Sequence, residues 1–429
     1  MRSLNRTLVF LALAVPALAQ QPKTTPAITA HDVMERESIL ASDSLEGRRT
    51  GAPGAEKAAR YIASEFKRIG LTAYNPVIAE MPYHPNYYQP FDFSEHALDT
   101  TKHGKTQAMN VVGFLQGSDP TLDSQFVIIG AHYDHLGYGG AFALDTVHAI
   151  HYGADDNASG VTALLEIAEN MVNMPRPKRS IVFISFSGEE EGLFGSDYFT
   201  NHPMAPLANV QAMINMDMVG RMKDSTLIIE GIGTSPVFRS LVDSVNTPPE
   251  FHLKYFQSGT GPSDHAKFYS KDLAVLFLFT GIHEDYHKAT DTKDKINADG
   301  EVKVARYVEN VLLDLANRPD KIAFTRVAND TEQKAASFGV YVGGVPDYGY
   351  DGDGLRISEI RDHSPAQICG LLAGDVIVQF DEMIIHNIYD YTNALAKHQP
   401  GDIVQMKVQR DGKLVIVPVV LGRRAKEHQ

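Results

Sequence analysis

Side chains that could hold a metal ion or move a proton follow directly after apolar runs in this 429-residue sequence. The run FVIIG, residues 126–130, is followed by His132 and Asp134, and the run SIVFISF, residues 180–186, leads into three consecutive glutamates. Three adjacent carboxylates repel one another and normally lie on a solvated surface, so their place at the end of an apolar run needs an explanation. The candidate residues of this kind are His132, Asp134, Asp156, Glu189, Glu190, Asp217, Tyr286 and His287.

The pattern of apolar residues predicts the elements that carry these side chains. Apolar runs at residues 126–130, 180–186, 212–216 and 273–279 indicate buried strands. Amphipathic segments at residues 161–171, 235–245 and 301–315 indicate helices between the strands. This alternation predicts a three-layer α/β/α domain with a mostly parallel sheet. Ligands of such sheets bind at the carboxyl ends of the strands, which is where the candidate residues lie.

Acidic and imidazole groups gathered at one sheet edge predict a cation between them. Taken singly, Asp156 could cap a helix and Asp217 could be a turn residue. Brought together, the carboxylates would repel and desolvate one another unless positive charge offset them. Imidazole and carboxylate donors suit catalytic zinc, and the single cysteine, Cys369, excludes an intrachain disulfide and a thiolate metal site.

The N-terminal segment predicts export. The stretch MRSLNRTLVFLALAVPALAQ begins with Arg2 and Arg6, continues with a short apolar core and ends in an A-x-A cleavage site at residues 17–19. We therefore expect residues 1–19 to be a signal peptide and the mature chain, without a membrane span, to lie in a periplasm or the medium. The net charge of −14 argues against nucleic acid as a partner.

The sequence after residue 317 predicts a linker and a second domain. Residues 318–336 are polar and aperiodic, whereas residues 337–422 combine short strand patterns with turn signals. The stretches SPA at 364–366 and LAGDVI at 372–377 resemble the PDZ domains attached to exported bacterial proteases. The resemblance implies a small β-rich domain that binds a C-terminal peptide or a protein partner at a sheet edge. Residues 338–342 lie where its carboxylate-binding loop is expected, although they depart from the usual G-L-G-F pattern.

The first domain, residues 31–317, resembles the co-catalytic zinc aminopeptidases. That family includes bacterial leucyl aminopeptidase, aminopeptidase Y, plasma glutamate carboxypeptidase and, as a divergent branch, glutaminyl cyclase. The resemblance rests on five ordered motifs: H-x-D at 132–134, G-A-x-D-N-x-S-G at 153–160, E-E-x-G-L-x-G-S at 189–196, N-x-D at 215–217 and Y-H at 286–287. It implies a zinc exopeptidase fold and two Zn²⁺ ions as cofactors.

The resemblance also implies which residues would bind the two ions. His132 and Asp217 would bind one zinc ion, and Glu190 and His287 would bind the other. Asp156, which precedes the asparagine of the second motif, would bridge both ions. This set leaves no ligand position of the family unfilled.

Three further residues would act on the substrate or on the ligands. Glu189 would be the general base that activates water and protonates the leaving amine. Asp134 would hydrogen-bond an imidazole ligand, expected to be His132, and fix its tautomer. Tyr286 would donate its hydroxyl to the oxyanion of the tetrahedral intermediate.

An exported aminopeptidase acting on the N-termini of peptides is the expected function, and three alternatives stay open at this point. A carboxypeptidase or dipeptidase acting on acidic dipeptides would share the metal site and differ only in its pocket. A glutaminyl cyclase would use one zinc ion, and a receptor-like relative would have lost its metal site. No catalytic role is expected for the remaining polar residues. We expect loop or supporting places for His135, His148 and His151, a solvated helix face for Glu166 and a solvated neighbour for Glu191. Ser263, Asp264 and His265 would form either a specificity wall or structural hydrogen bonds, and Asp291 would either orient His287 or cap a turn.

Overall fold

The computed structural model describes residues 24–73, 86–93, 106–140, 142–327, 340–346, 353–360, 363–385, 390–391, 394–395 and 397–423. The predicted signal peptide lies outside these residues. In chain order, the elements up to residue 327 are α1 (Ala30–Leu40), α2 (Pro53–Ile69), β1 (Tyr88–Phe93), β2 (Thr106–Leu115), β3 (Phe126–His132), α3 (Gly160–Asn173), β4 (Ser180–Phe186), α4 (Phe194–Asn201), β5 (Val210–Met216), β6 (Thr226–Glu230), α5 (Phe238–Val245), β7 (His252–Tyr255), α6 (His265–Tyr269), β8 (Val275–Phe279) and α7 (Ala298–Asn317).

The strands of this first domain form one mixed sheet in the order β1-β2-β4-β3-β5-β8-β6-β7. Its centre is parallel: β3 pairs with β4 and β5, and β5 pairs with β8. Every residue of these four strands is buried, as expected for a sheet covered on both faces. The antiparallel pairs β1–β2, β2–β4 and β6–β8 lie towards the two edges.

Helices cover both faces of the sheet, so the domain has the predicted three layers. Ile129 of β3 points into a core shared with α1, α2, α3, α5 and α7, whereas the adjacent Ile128 points into a core shared with α4 and α6. Helix α2 shows how the sequence sets these elements: Pro53 begins it, and Gly70 ends it in a left-handed conformation that favours glycine. The layers hold the carboxyl ends of β3, β4, β5 and β8 at one edge.

The second domain is small and β-rich. Its elements are β9 (Val340–Tyr341), β10 (Gly344–Pro346), β11 (Leu355–Ile360), α8 (Pro365–Cys369), β12 (Val376–Phe380), β13 (Met383–Ile384), β14 (Ile403–Arg410), β15 (Lys413–Val420) and β16 (Gly422–Arg423). The main sheet has the order β10-β11-β12-β14-β15, and β9 pairs with β16. Of the predicted carboxylate-binding segment, residues 338–339 lie outside the described residues.

The structure confirms the predicted fold class and changes some boundaries. Strand β4 covers the predicted residues 180–186, while β1, β2, β6 and β7 were not predicted. Residues 318–327 of the predicted linker pack against the first domain instead, since Ile322 is buried and the Thr325 amide donates to the Thr234 carbonyl at 2.8 Å. Among the residues that the structure describes, no helix has the length and apolar character needed to span a membrane.

Candidate metal centre

The carboxyl ends of the central strands bring the predicted ligands together. His132 is the last residue of β3, and Asp217 follows directly after β5. Glu190 lies in the turn after β4, and His287 lies in the loop after β8. Asp156 comes from a tight helical turn, Ala154–Ser159, that precedes α3. Five side chains from separate parts of the sequence therefore meet at one edge of the sheet.

One pocket is formed by His132, Asp156 and Asp217. His132 Nε2 lies 3.4 Å from Asp156 Oδ1 and 3.3 Å from Asp217 Oδ1. His132 Nε2 and Asp217 Oδ1 are both buried and neither makes a hydrogen bond. Buried polar atoms nearly always have a hydrogen-bond partner. Two such atoms that face each other without one are therefore suited to bind an ion between them.

A second pocket shares Asp156 with the first. His287 Nε2 lies 3.1 Å from Asp156 Oδ2 and 3.2 Å from Glu190 Oε2. The two oxygens of Asp156 are thus divided between the pockets, as a bridging carboxylate requires. Donor atoms bound to a tetrahedral zinc ion at about 2.0–2.1 Å are about 3.3 Å apart, so the spacing in both pockets fits zinc.

The electrostatics of the second pocket favour positive charge. Burial lowers the pKa of His287, but the carboxylates of Glu190 and Asp156 outweigh it and raise the pKa to about 10. Burial and the Asp156 carboxylate raise the pKa of Glu190, but the imidazoles of His287 and His135 outweigh them and bring it to about 2. The pocket therefore keeps its carboxylate ionised and attracts a cation.

His135 supports this centre, which is one of the two places that the sequence left open for it. Its Nδ1 lies 2.8 Å from Glu190 Oε1 and 3.8 Å from Asp156 Oδ2. The ring packs edge-on against His287, with 5.8 Å between ring centroids. Because His135 Nδ1 contacts Oε1 of Glu190, the other oxygen, Oε2, faces His287. Its position one residue after the H-x-D motif was the available signal.

Asp134 supports the centre in a different way from the one predicted. The Nδ1 atom of His132 lies 3.2 Å from the backbone carbonyl oxygen of Asp134, whereas the carboxylate is 3.8 Å away. The carboxylate accepts hydrogen bonds from the Thr50 hydroxyl at 2.7 Å and from the backbone amides of Glu189 and Glu190 at 3.2 and 3.4 Å. It therefore orients the two glutamates, and the main chain orients His132.

Glu189 lies at the mouth of the first pocket. Its Oε2 is 4.0 Å from His132 Nε2, and its side chain is 11% exposed. Burial raises the pKa of Glu189 well above its usual range. A partly accessible carboxylate beside the ligands has the position that a general base needs.

Comparison with known proteins assigns the fold around this centre. The model of peptidase family M28 matches residues 110–338, which is more than half of the chain. The chain belongs to peptidase family M28. A PDZ-domain model matches residues 326–421, so the second domain of this M28 chain is a PDZ domain.

Individual relatives of this M28 protein are distant. A probable zinc metalloprotease of Pyrenophora teres f. teres is 36% identical over 118 residues, which cover 26% of this chain and 23% of that relative. The LapA aminopeptidase of Legionella pneumophila superposes with a TM-score of 0.53 at 20% identity, covering 68% of this chain and 73% of that one. A glutaminyl cyclase of Porphyromonas gingivalis superposes with a TM-score of 0.53 at 17% identity, covering 66% and 98%. At these identities the structural likeness shows a shared fold.

Asp291 and Asn157 hold Asp156, the residue that the two pockets share, in place. The Asp291 carboxylate accepts from the backbone amides of Asp155 at 3.0 Å and Asp156 at 3.1 Å. Asn157, joined to Asp156 by a cis peptide bond, donates to the Met216 carbonyl at 3.0 Å next to Asp217. Asp291 thus positions the shared residue Asp156, not His287.

An apolar cluster contacts His287 through Tyr286, and a serine contacts Asp217. Tyr286 stacks on His287 with 3.9 Å between centroids, and it packs against a cluster of Met218, Phe277, Phe279, Ile228 and Ile282. Ser263 donates to Asp217 Oδ2 at 2.9 Å and accepts from Asn215 Nδ2 at 2.8 Å. Ser263 therefore makes structural hydrogen bonds, one of its two expected roles, and orients a predicted ligand.

Other expectations for polar residues were wrong. Glu166 is buried within 2.8 Å of Arg36 Nε and does not lie on a solvated face. Glu191 is only 9% exposed and lies 3.7 Å from Arg49 Nε.

Asp264 and His265 are buried as well. Burial raises the pKa of Asp264 to about 7 and lowers the pKa of His265 to about 3.

Proposed function

We propose that this protein is an exported zinc-dependent aminopeptidase that removes N-terminal residues from peptides with two metal ions. The observation that carries the proposal is the pair of pockets that share Asp156. One is completed by His132 and Asp217 and the other by Glu190 and His287, with donor atoms 3.1–3.4 Å apart. The curated relative named above matches over less than a quarter of its length, so the activity proposed here rests mainly on this geometry.

The proposed mechanism divides the work between the ions and the side chains. The ions that these two pockets would hold, His132, Asp156 and Asp217 in one and Asp156, Glu190 and His287 in the other, would supply Lewis-acid chemistry: a lower pKa for the attacking water and polarisation of the scissile carbonyl. Glu189 would take a proton from the attacking water and pass it to the leaving amine. A carboxylate whose pKa is raised by burial suits a group that must hold a proton between these two steps. Tyr286, beside His287, would donate a hydrogen bond to the oxyanion.

The side chain of the N-terminal residue would lie against Tyr286, Ile228 and Ile282, the partly buried members of the apolar cluster. Met218, Phe277 and Phe279 are buried and form the core of that cluster. An apolar lining stabilises an apolar side chain and gives no charge to recognise an acidic one. This favours an aminopeptidase for apolar N-terminal residues over a carboxypeptidase for acidic dipeptides.

The PDZ domain would bind a peptide by strand addition next to β10. This strand lies at the edge of its sheet and pairs only with β11 among the described strands. An extended peptide can add to such an edge through main-chain hydrogen bonds. The proposed role is to tether long peptide substrates or a protein partner. Unchanged kcat/KM for both long and short peptides after deletion of residues 337–429 would contradict it.

The proposed chain organisation follows the sequence with one adjustment. Cleavage after residue 19 would release the mature protein into a periplasm or the medium. The catalytic domain would begin near residue 31 and extend to about residue 327, because residues 318–327 pack against it. The linker would then shorten to the segment before the PDZ domain, whose proposed range is 337–422.

A substrate panel tests the proposed activity. Aminoacyl-p-nitroanilides with apolar side chains should be cleaved, their N-blocked analogues and N-blocked, C-terminally acidic dipeptides should not, and a chelator should abolish the activity. Glu189→Gln should keep its zinc and lower kcat by roughly 100- to 10,000-fold, because the base is lost and the ligands remain. Near-normal turnover of that variant would show that another group is the base.

A further inference from the structure

The segment from Phe142 to His151 is the strongest feature that the proposed mechanism does not use. It lies along the backbone of His287, a proposed zinc ligand. His287 Nδ1 lies 2.9 Å from the Phe142 carbonyl oxygen, and the Leu144 amide donates to the His287 carbonyl at 2.8 Å. A carbonyl can only accept, so Nδ1 carries a proton and donates to Phe142, and Nε2 is the nitrogen that faces Asp156 and Glu190.

The backbone of His287 needs such support. Its φ angle is 55°, in the left-handed region that residues with a Cβ rarely adopt. A conformation of this kind persists only when the surrounding structure holds it. The contacts with Phe142 and Leu144 fix both the ring and the main chain of His287 from the same side.

Asp145 connects this segment to the loop that carries His287. Its Oδ2 accepts from the Ala289 amide at 2.9 Å, two residues after the ligand. Its Oδ1 lies 3.1 Å from His151 Nε2 and accepts from the Val147 amide at 3.1 Å. One carboxylate thus joins the His287 loop to two points of the 142–151 segment.

His151 anchors the far end of the segment. It is buried, its Nδ1 lies 3.0 Å from the Ala149 carbonyl, and its backbone amide donates to the Gly137 carbonyl at 2.7 Å. Both ring nitrogens therefore face oxygen atoms of the same segment. The Asp145–His151 pair fastens the segment to the loop after β3, which carries His135.

We propose that Asp145 is a positioning residue that holds His287 in its zinc-binding orientation. It acts through Ala289 and through the 142–151 segment, with His151 as its anchor. The inference rests on the proposed two-zinc function, since it concerns the affinity of one of the two pockets. Residues that orient metal ligands typically change metal affinity roughly 10- to 100-fold when they are removed.

Zinc titration of the full-length protein against a chromogenic chelator tests this proposal. Asp145→Ala should weaken one zinc ion by roughly 10- to 100-fold and leave the other unchanged. Asp145→Asn keeps the shape but loses one acceptor oxygen, so it should weaken the same ion by a smaller factor. Substitution with Co²⁺ should show an altered visible spectrum for that one site.

Asp119→Ala is the matched control. Asp119 accepts from the Thr121 amide at 2.8 Å in the way that Asp145 accepts from Val147, but on an exposed loop. This variant should bind both ions as the wild type does. Two zinc ions of wild-type affinity in both Asp145 variants would overturn the inference alone. A wild-type protein that binds one ion or none would instead overturn the proposed function on which it rests.

Discussion

Replacing Asp134 tests how the centre is held, because its main chain and its side chain have different partners. Its carbonyl oxygen lies 3.2 Å from His132 Nδ1. Its carboxylate accepts from the Thr50 hydroxyl and from the amides of Glu189 and Glu190. Asp134→Ala removes the contacts of the carboxylate and keeps the contact of the backbone carbonyl with His132. We therefore expect it to disturb the general base and to leave zinc on His132.

The size of the effect follows from the lost hydrogen bonds. A hydrogen bond to a charged acceptor contributes about 1.5–3 kcal/mol, and the two amide contacts of Asp134 are long, so the lower figure applies to each. Their combined loss of about 3 kcal/mol corresponds to a roughly 100-fold fall in kcat/KM if it is expressed in the transition state. Asp134→Asn retains one acceptor oxygen and should lose roughly 10-fold.

The assay is kcat/KM for an aminoacyl-p-nitroanilide, with zinc content measured on the same samples. Thr50→Val is the control: it removes the hydroxyl contact and retains both amide contacts, so it should cost less than Asp134→Asn. Loss of zinc from Asp134→Ala, with activity falling in proportion, would refute the reasoning and show that the carboxylate holds the imidazole. Unchanged kcat/KM with full zinc would show that the side chain is dispensable.

Two further outcomes are expected. His135→Ala should weaken zinc binding in the Glu190–His287 pocket by roughly 10-fold, because Glu190 Oε1 loses its partner at 2.8 Å. His148→Ala, at an exposed position, should leave zinc binding unchanged. Equal zinc affinities of the two variants in a chelator titration would contradict this. Burial raises the pKa of Glu309 in α7 to about 7, so its contribution to stability is present below the unfolded pKa and is lost as pH rises towards and through 7. Glu309→Gln should reduce the fall in stability between pH 5 and pH 8 and be more stable than the wild type by about 2 kcal/mol at pH 8. An equal fall in the free energy of unfolding in both proteins, measured with urea at the two pH values, would count against it.

The parts of the fold that the sequence predicted are those that are buried on both faces. Strand β4 is apolar at almost every position and was predicted with its observed bounds. Strand β7, with alternating exposed and half-buried residues at the sheet edge, has no such pattern and was missed. The apolar pattern of a strand arises from side chains that are buried. An edge strand with few buried side chains therefore lacks the pattern from which it could be predicted.

The pockets could be predicted because their ligands follow the ends of neighbouring parallel strands. The contacts that support them could not, because they join residues far apart in the chain. Glu166 looked like a surface residue of α3, but Arg36 of α1 lies 2.8 Å from it. Asp134 was expected to bond an imidazole through its carboxylate, and only the folded backbone shows that its carbonyl does so instead.

The central claim is that two zinc ions share Asp156, and zinc-edge anomalous diffraction from the full-length protein, with metal content measured in solution, tests it most directly. The account predicts two zinc ions per chain about 3.5–4 Å apart, one beside His132 and Asp217 and the other beside Glu190 and His287. A single ion at full zinc saturation, or a second ion bound away from Asp156, would contradict it.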